Sequence, residues 1–245
     1  MRIIQANNYE DMSQLAADYI IGKVIAQPKI KLGLATGGTP LGVYQKITAD
    51  HKKNGTSYQQ VTTFNLDEYV GLSGQNPNSY RYYMNDNLFN HIDLQETNTF
   101  IPRGDAEDAE KECEAYEKLL AKHQGIDLQL LGIGANGHIG FNEPGTSFNS
   151  KTHVVQLAPS TRKANARFFN SSEEVPTKAI TMGIATIMKS KEILLLVSGE
   201  QKSEALKRLL TGSVDESFPA SVLKHHPHVT IIADKAAIAG LKVHS

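Results

Sequence analysis

The sequence predicts an α/β fold: a single-domain, open, mostly parallel sheet with helices on both faces. Three observations predict it. Short apolar runs suited to buried parallel strands recur along the chain, amphipathic stretches of helical period alternate with them, and the least ordinary tetrapeptides stand just after the strands. Those positions are where loops and helix N-termini of such sheets converge.

The expected strands are Arg2–Gln5, Lys31–Ala35, Thr62–Asn65, Asp127–Gly132, Glu192–Val197 and Val229–Ala233. Between the first two, Met12, Leu15, Ala16, Tyr19 and Ile20 follow the i, i+3, i+4, i+7, i+8 spacing that lays one apolar stripe along a helix. A second helix is expected to open at Pro40, whose missing N–H costs nothing in a first turn, with Thr39 as its cap. Further helices are expected over Ser79–Leu88, Ala106–Lys122, Gln201–Leu210 and near the C-terminus. Segment 145–190 is poorer in strand signal and richer in Ser, Thr, Asn, Lys and Arg, and is read as a lid. No repeat of fixed period and no low-complexity tract interrupts the pattern, which sets solenoids and propellers aside. The arrangement expected over 1–245 is one domain, modified Rossmann-like, with that lid.

Composition narrows the function classes. Lys and Arg number 25 against 26 for Asp and Glu, so no extended cationic field exists to track nucleic acid or an anionic membrane. An anionic partner must be held in a local pocket. The single cysteine, Cys113, has no partner for an intramolecular disulfide or a Cys-based zinc site, which fits a reducing compartment. The opening Met1-Arg2-Ile3-Ile4-Gln5-Ala6 lacks a signal-peptide core, and no apolar run approaches a membrane span. A cytoplasmic protein with a small-molecule substrate is expected.

Leu34-Ala35-Thr36-Gly37-Gly38-Thr39-Pro40 reads as strand, tight loop and helix start. Paired glycines admit a close ligand, the threonines offer hydroxyls, and a helix N-terminus aims unpaired N–H groups at the loop, so Thr36, Gly37, Gly38 and Thr39 form a candidate phosphate cradle. A plain tight turn is the alternative. The loop matches neither the G-x-x-x-x-G-K-[ST] nor the G-x-G-x-x-G pattern, so neither ATP nor NAD is expected. Phe64-Asn65-Leu66-Asp67-Glu68-Tyr69 puts two carboxylates directly after a strand. They read as a helix cap or solvated turn, or as a general base toward a carbon acid where water is excluded.

Gly132–Pro144 carries glycines at 132, 134, 137 and 140 around one imidazole, His138. So many glycines suit an irregular loop rather than a regular element. His138 is the candidate acid–base, and Glu143 is near enough in sequence to fold back and orient the ring. A buried structural histidine is the alternative.

These three stretches, in this order and spacing, closely resemble the glucosamine-6-phosphate deaminase family, and the resemblance extends over nearly the whole chain. Ser160–Phe169, Ser198-Gly199-Glu200-Gln201-Lys202 and His226-Pro227-His228-Val229-Thr230 are similar to further family segments. The resemblance implies the conversion of D-glucosamine 6-phosphate and water to D-fructose 6-phosphate and ammonia in amino-sugar catabolism. It gives Asp67 the proton transfer between C2 and C1, His138 the opening of the sugar ring, and Glu143 the support of that histidine. Gly38, Thr39, Arg167 and Lys202 take the 6-phosphate. Many members carry Asp where this chain has Asn136, so the relay to the ring is expected to rest on Glu143. Activated members are longer at the C-terminus and carry basic residues shortly after Asn-Glu-Pro. Here His153 and Val155 stand there, so no activation by an N-acetylated sugar phosphate is expected, and a monomer or small homo-oligomer is.

The chemistry agrees with the residue types. An imidazole can shuttle a proton between the anomeric hydroxyl and the ring oxygen, and a carboxylate can take the proton that an adjacent aldehyde acidifies. No step calls for hydride transfer, an electron sink or a Lewis acid, so no cofactor and no metal is expected. His225-His226-Pro227-His228 looks like a metal tract, but its proline breaks helical spacing. Tyr80-Arg81-Tyr82-Tyr83 is read as a packing or surface face rather than a base-stacking platform. Two other functions compete. A 6-phosphogluconolactonase shares the fold, but its relatives typically carry Asp-Glu-Arg and a Thr after the loop histidine, where this chain has Tyr69 and Ile139. A sugar-phosphate sensor would lose the catalytic groups and join a DNA-binding module.

Overall fold

A computed structural model describes residues 1–157, 162, 169, 174–239 and 241. Its main sheet has seven strands: β1 (Arg2–Ala6), β2 (Lys31–Leu34), β3 (Thr62–Asn65), β5 (Thr99–Phe100), β6 (Leu128–Gly132), β9 (Glu192–Val197) and β10 (Val229–Asp234), ordered β1-β10-β9-β6-β2-β3-β5. Every ladder in it is parallel. All six expected strands are present within a residue at each end. The seventh, β5, is too short to leave a periodic signal.

Both faces of the sheet are dry. Along β9, Leu194 and Leu196 enter one core cluster while Ile193, Leu195 and Val197 enter the other, as the two-residue strand period requires. The first cluster lies under α1 (Tyr9–Ala26) and α2 (Gly38–Asn54), with Met12, Ala16 and Ile20 of the expected stripe at most 1% exposed. The second lies under α4 (Ala109–Lys122) and α6 (Ser203–Thr211), through Tyr116, Leu120, Leu206 and Leu209. Each such side chain removed from water contributes about 1.5–3 kcal/mol before its entropy cost. Three shorter helices lie among the described residues: α3 (Tyr80–Asn87), α5 (Ile184–Ile187) and α7 (Lys235–Ile238).

Two expectations need correction. The second helix does not open at Pro40 under a Thr39 cap. It begins at Gly38, with Gly37 as a cap residue that offers no side chain and turns the chain at φ 91°. The expected lid is also less bare of strands than its composition suggests. Within it, β7 (His153–Gln156) and β8 (Lys178–Thr181) pair antiparallel, and β8 pairs on its other side with β4 (Asp67–Tyr69). Polar residues hid these strands because a three-stranded sheet anchored to the main body is held by its ladder and by a few apolar contacts. Much of the expected lid, residues 158–161, 163–168 and 170–173, lies outside the described residues.

The Asp67–Tyr69 strand is packed closely from behind. Gly71 N–H donates to the Gly104 carbonyl at 2.7 Å, and a Cβ added at Gly104 would stand 2.1 Å from the Tyr69 carbonyl oxygen and 2.7 Å from that of Leu72. Backbone on both sides leaves no flexible group to yield. Gly104→Ala is therefore expected to destabilise the protein by about 1–3 kcal/mol, read as a lower urea midpoint at unchanged m.

Candidate active site

The strand order reverses between β2 and β6. From β2 the chain builds outward through β3 and β5, and from β6 it builds the other way through β9 and β10. Loops leaving the carboxyl ends of two such neighbours diverge and open a crevice. It is a cavity of about 520 Å³, lined by the Thr36–Pro40 loop after β2, by Asp67, Tyr80, His138 and Phe141, and by Lys202.

Asp67 reaches the cavity because β3 ends at Asn65 and the chain re-enters regular structure at once as β4. Asp67 then pairs with Thr181 of β8, and the Met182 N–H donates to the Leu66 carbonyl at 2.6 Å. The Asp67 carboxyl group is 7% exposed. Burial, and secondarily the neighbouring Glu68 charge, push its pKa up to about 8. Glu68 points the other way, 2% exposed. Its oxygens accept from the backbone N–H groups of Tyr69, Tyr80 and Arg81 at 2.8–2.9 Å, which joins β4 to the first turn of α3. Burial raises it to about 7, and these N–H groups and Arg81 oppose the rise. The pair is not a solvated turn, and Glu68 caps the first turn of α3 from outside that helix.

The His138 loop is folded by its own backbone. Gly134 N–H donates to the His138 carbonyl at 2.9 Å and Gly137 N–H to the Gly134 carbonyl at 3.0 Å. The imidazole lies so close to Gly134 that a Cβ there would meet Nδ1 at 2.2 Å, which makes glycine obligatory. Asn142, fully buried, donates from Nδ2 to the carbonyls of Ile139 and Met182, and Phe141 N–H donates to Thr181 Oγ1. Thr181 thus faces both catalytic candidates. At Gly140, φ 56°, an added Cβ would sit 3.6 Å from Asp67 Oδ2, so the histidine loop passes directly beside that carboxyl group.

The relay to the ring differs from expectation. Glu143 does not act on it alone. Its Oε2 accepts from Asn136 Nδ2 at 2.6 Å, and Asn136 Oδ1 meets His138 Nδ1 at 2.8 Å, while Glu143 Oε1 stays 3.7 Å from that nitrogen. A carboxylate only accepts, so it fixes the amide, and the amide oxygen fixes the proton on Nδ1. Nε2 is left as the acceptor. Burial lowers the His138 pKa, the Lys202 charge adds to the fall and Glu143 opposes it, which favours the neutral ring.

At the far end of the cavity, Lys202 stands in the turn after Gly199, φ 93°. The Gly199 N–H and the Ser198 hydroxyl donate to Asp234, a carboxylate that also caps α7. Burial holds the Lys202 ammonium below the usual lysine range, with no described carboxylate offsetting its charge. Thr36, Gly37, Gly38 and Thr39 line the same cavity. Arg167 lies outside the described residues. Sequence reasoning missed Tyr80 in the cavity wall and took it for a packing face. Its ring lies 4.8 Å from Tyr69 and is stacked on Phe141, so it does both. The histidine tract is structural at His226, 5% exposed, whose Nε2 donates to the Ser190 carbonyl while Nδ1 accepts from His228 N–H.

Known proteins resemble this chain throughout. The sequence profile described as glucosamine-6-phosphate isomerases/6-phosphogluconolactonase matches residues 7–232. A glucosamine-6-phosphate deaminase of Halalkalibacterium halodurans is 59% identical over 245 residues, the full length of both chains. Glucosamine-6-phosphate deaminase 1 of Bacillus subtilis is 53% identical over 97% of this chain and 98% of its own. A solved structure of a monomeric glucosamine-6-phosphate deaminase superposes with a TM-score of 0.96 at 52% identity, covering 98% of this chain and all of the other. The 6-phosphogluconolactonase of Trypanosoma cruzi, at 19% identity and a TM-score of 0.80 over 98% and 97% of the chains, shares the fold.

The state of Asp67 has a measurable consequence for stability. Unfolded, this side chain releases its proton near pH 4; folded, it keeps the proton up to about pH 8. The native state therefore binds more protons in that window, and its stability falls as pH rises through it. Asp67→Asn removes the penalty. Its melting temperature is expected to exceed that of the wild type at about pH 8, with the gap closing toward about pH 4. A gap of the same size at both pH values would show an unperturbed carboxyl group.

Proposed function

This chain belongs to the glucosamine-6-phosphate isomerase/6-phosphogluconolactonase family, and from that membership and the cavity we infer that it is a glucosamine-6-phosphate deaminase. It converts D-glucosamine 6-phosphate and water to D-fructose 6-phosphate and ammonia. One observation carries the reading: Asp67 and His138 line a single cavity that also holds the Thr-Gly-Gly-Thr loop and Lys202. The relatives above 50% identity that bear the deaminase name support it. Tyr69 and Ile139, buried where the lactonase pattern has Arg and Thr, support it over the hydrolase.

The 6-phosphate rests on the N-terminal turn of α2 and on Lys202, with Arg167 from the expected lid as a third contact. Held there, it orients carbons that lie well away from it. His138, neutral with Nε2 free to accept, takes the anomeric hydroxyl proton and delivers it to the ring oxygen, which opens the sugar. Asn136 and Glu143 keep the imidazole in that tautomer. Asp67 in its ionised form removes the C2 proton and returns it to C1, while O1 gains a proton and the amine nitrogen gives one up, leaving a ketimine. Water adds to C2 and ammonia departs. A carboxyl group with a pKa of about 8 is a stronger base than an exposed aspartate and gives the proton back less readily to water. We also propose that the chain acts in the cytoplasm and as a monomer, the second because its 52% identical structural relative is monomeric.

The assay is direct. The purified protein should release ammonia and fructose 6-phosphate in equal amounts from glucosamine 6-phosphate and leave 6-phosphogluconolactone untouched. Consumption of the lactone without ammonia would replace this reading with the hydrolase. Asp67→Asn should lower turnover by about 10²- to 10⁴-fold and stop exchange of the C2 proton with solvent. His138→Gln should slow the cyclic substrate far more than an open-chain analogue, and equal losses on both would remove its ring-opening role.

A further inference from the structure

Three tyrosine hydroxyls hold the carbonyls of the loop after β2. Tyr44 donates to the Ala35 carbonyl at 2.5 Å, Tyr83 to that of Gly37 at 2.7 Å, and Tyr9 to that of Gly38 at 2.9 Å. They come from three different helices, α2, α3 and α1. None of the three lines the cavity, whereas every residue from Ala35 to Pro40 does. The carbonyls are therefore drawn outward, away from the ligand space. In a planar trans peptide the N–H of the next residue points opposite to the carbonyl, and the described chain has no cis bond. Holding the oxygens of residues 35, 37 and 38 outward thus turns the N–H groups of Thr36, Gly38 and Thr39 inward.

We propose that Tyr9 and Tyr83 are positioning residues for phosphate: they fix these peptide planes so that only N–H groups, and no carbonyl oxygen, confront the anion. The inference rests on the reading that this loop holds the 6-phosphate. It accounts for a feature the loop alone leaves unexplained. Gly37 and Gly38 have open space around their missing side chains, and Gly37 provides no capping oxygen, so within the loop only the first-turn backbone bonds of α2 restrain either peptide, and the tyrosine hydroxyls reinforce them. A turned peptide would place a carbonyl oxygen against a dianion. Tyr9 adds a second restraint, because its hydroxyl also accepts from Gly42 N–H at 2.8 Å and so bridges the Gly38 carbonyl to the N–H four residues on in α2. Burial raises the Tyr83 hydroxyl above the ordinary tyrosine range, which keeps it protonated and a donor.

Tyr9→Phe, Tyr83→Phe and the double variant keep the rings and remove only the hydroxyls. Each single change should raise KM for glucosamine 6-phosphate by about 3- to 10-fold, the equivalent of one hydrogen bond. It should raise the inhibition constant of inorganic phosphate, competing with substrate, by a similar factor, while kcat stays within about twofold. Unchanged KM and unchanged phosphate inhibition in the folded double variant would overturn the proposal, as would a fall in kcat at constant KM. Should the double variant fail to fold, Tyr83→Phe alone decides by the same criteria. Phosphate inhibition of the wild type that does not compete with substrate, or that is unmoved by Lys202→Ala, would instead overturn the underlying phosphate reading, and this proposal with it.

Discussion

The antiparallel pairing of Asp67 with Thr181 is the contact on which the site depends. The strand that should end at the sheet's carboxyl edge continues after one residue into a second, smaller sheet, and its first side chain is enclosed rather than solvated. Enclosure gives the carboxyl group its basicity, with Glu68 alongside adding to the effect. Thr181 also anchors the histidine loop through Phe141. The strand of Asp67 and the loop of His138 are thereby both held by one β8 residue.

Opposite charges play little part in this arrangement. Asp67 is perturbed by burial and a like charge, His138 is governed by an amide backed by a carboxylate, and Lys202 stands in the cavity wall with no described acid beside it. The amide at Asn136 passes on the orienting effect of Glu143 to Nδ1, while burial keeps the ring neutral against the Glu143 charge.

The main sheet was legible in the sequence because its central strands are buried on both faces, so β9 and β10 read as nearly continuous apolar runs, while the edge strand β1 still carries an apolar pair, Ile3 and Ile4. The β4, β7 and β8 strands were not, since His153, Gln156 and Lys178 contribute polar side chains and the pairing is specified by partners distant in the chain. The loop glycines and His138 announced an irregular catalytic turn, yet the order of its relay was hidden: spacing alone does not say whether Glu143 or Asn136 touches the ring. The cavity-facing side of Tyr80 was missed for a related reason. A tyrosine on a short helix gives no sign of which neighbour it faces, and the β4–α3 junction through Glu68 decides that.

Strand β1 lies at one border of the main sheet and pairs only with β10, Arg2 opposite Thr230 and Ala6 opposite Asp234. β1 must therefore wait for β10, made long after it, before it finds its neighbour. Closing that separation carries an entropic toll before any contact rewards it. During synthesis the apolar segments between them remain incompletely covered, a state open to aggregation. Assembly of this protein is accordingly expected to be a late, cooperative event that waits on β10, rather than a progressive one that follows the chain outward.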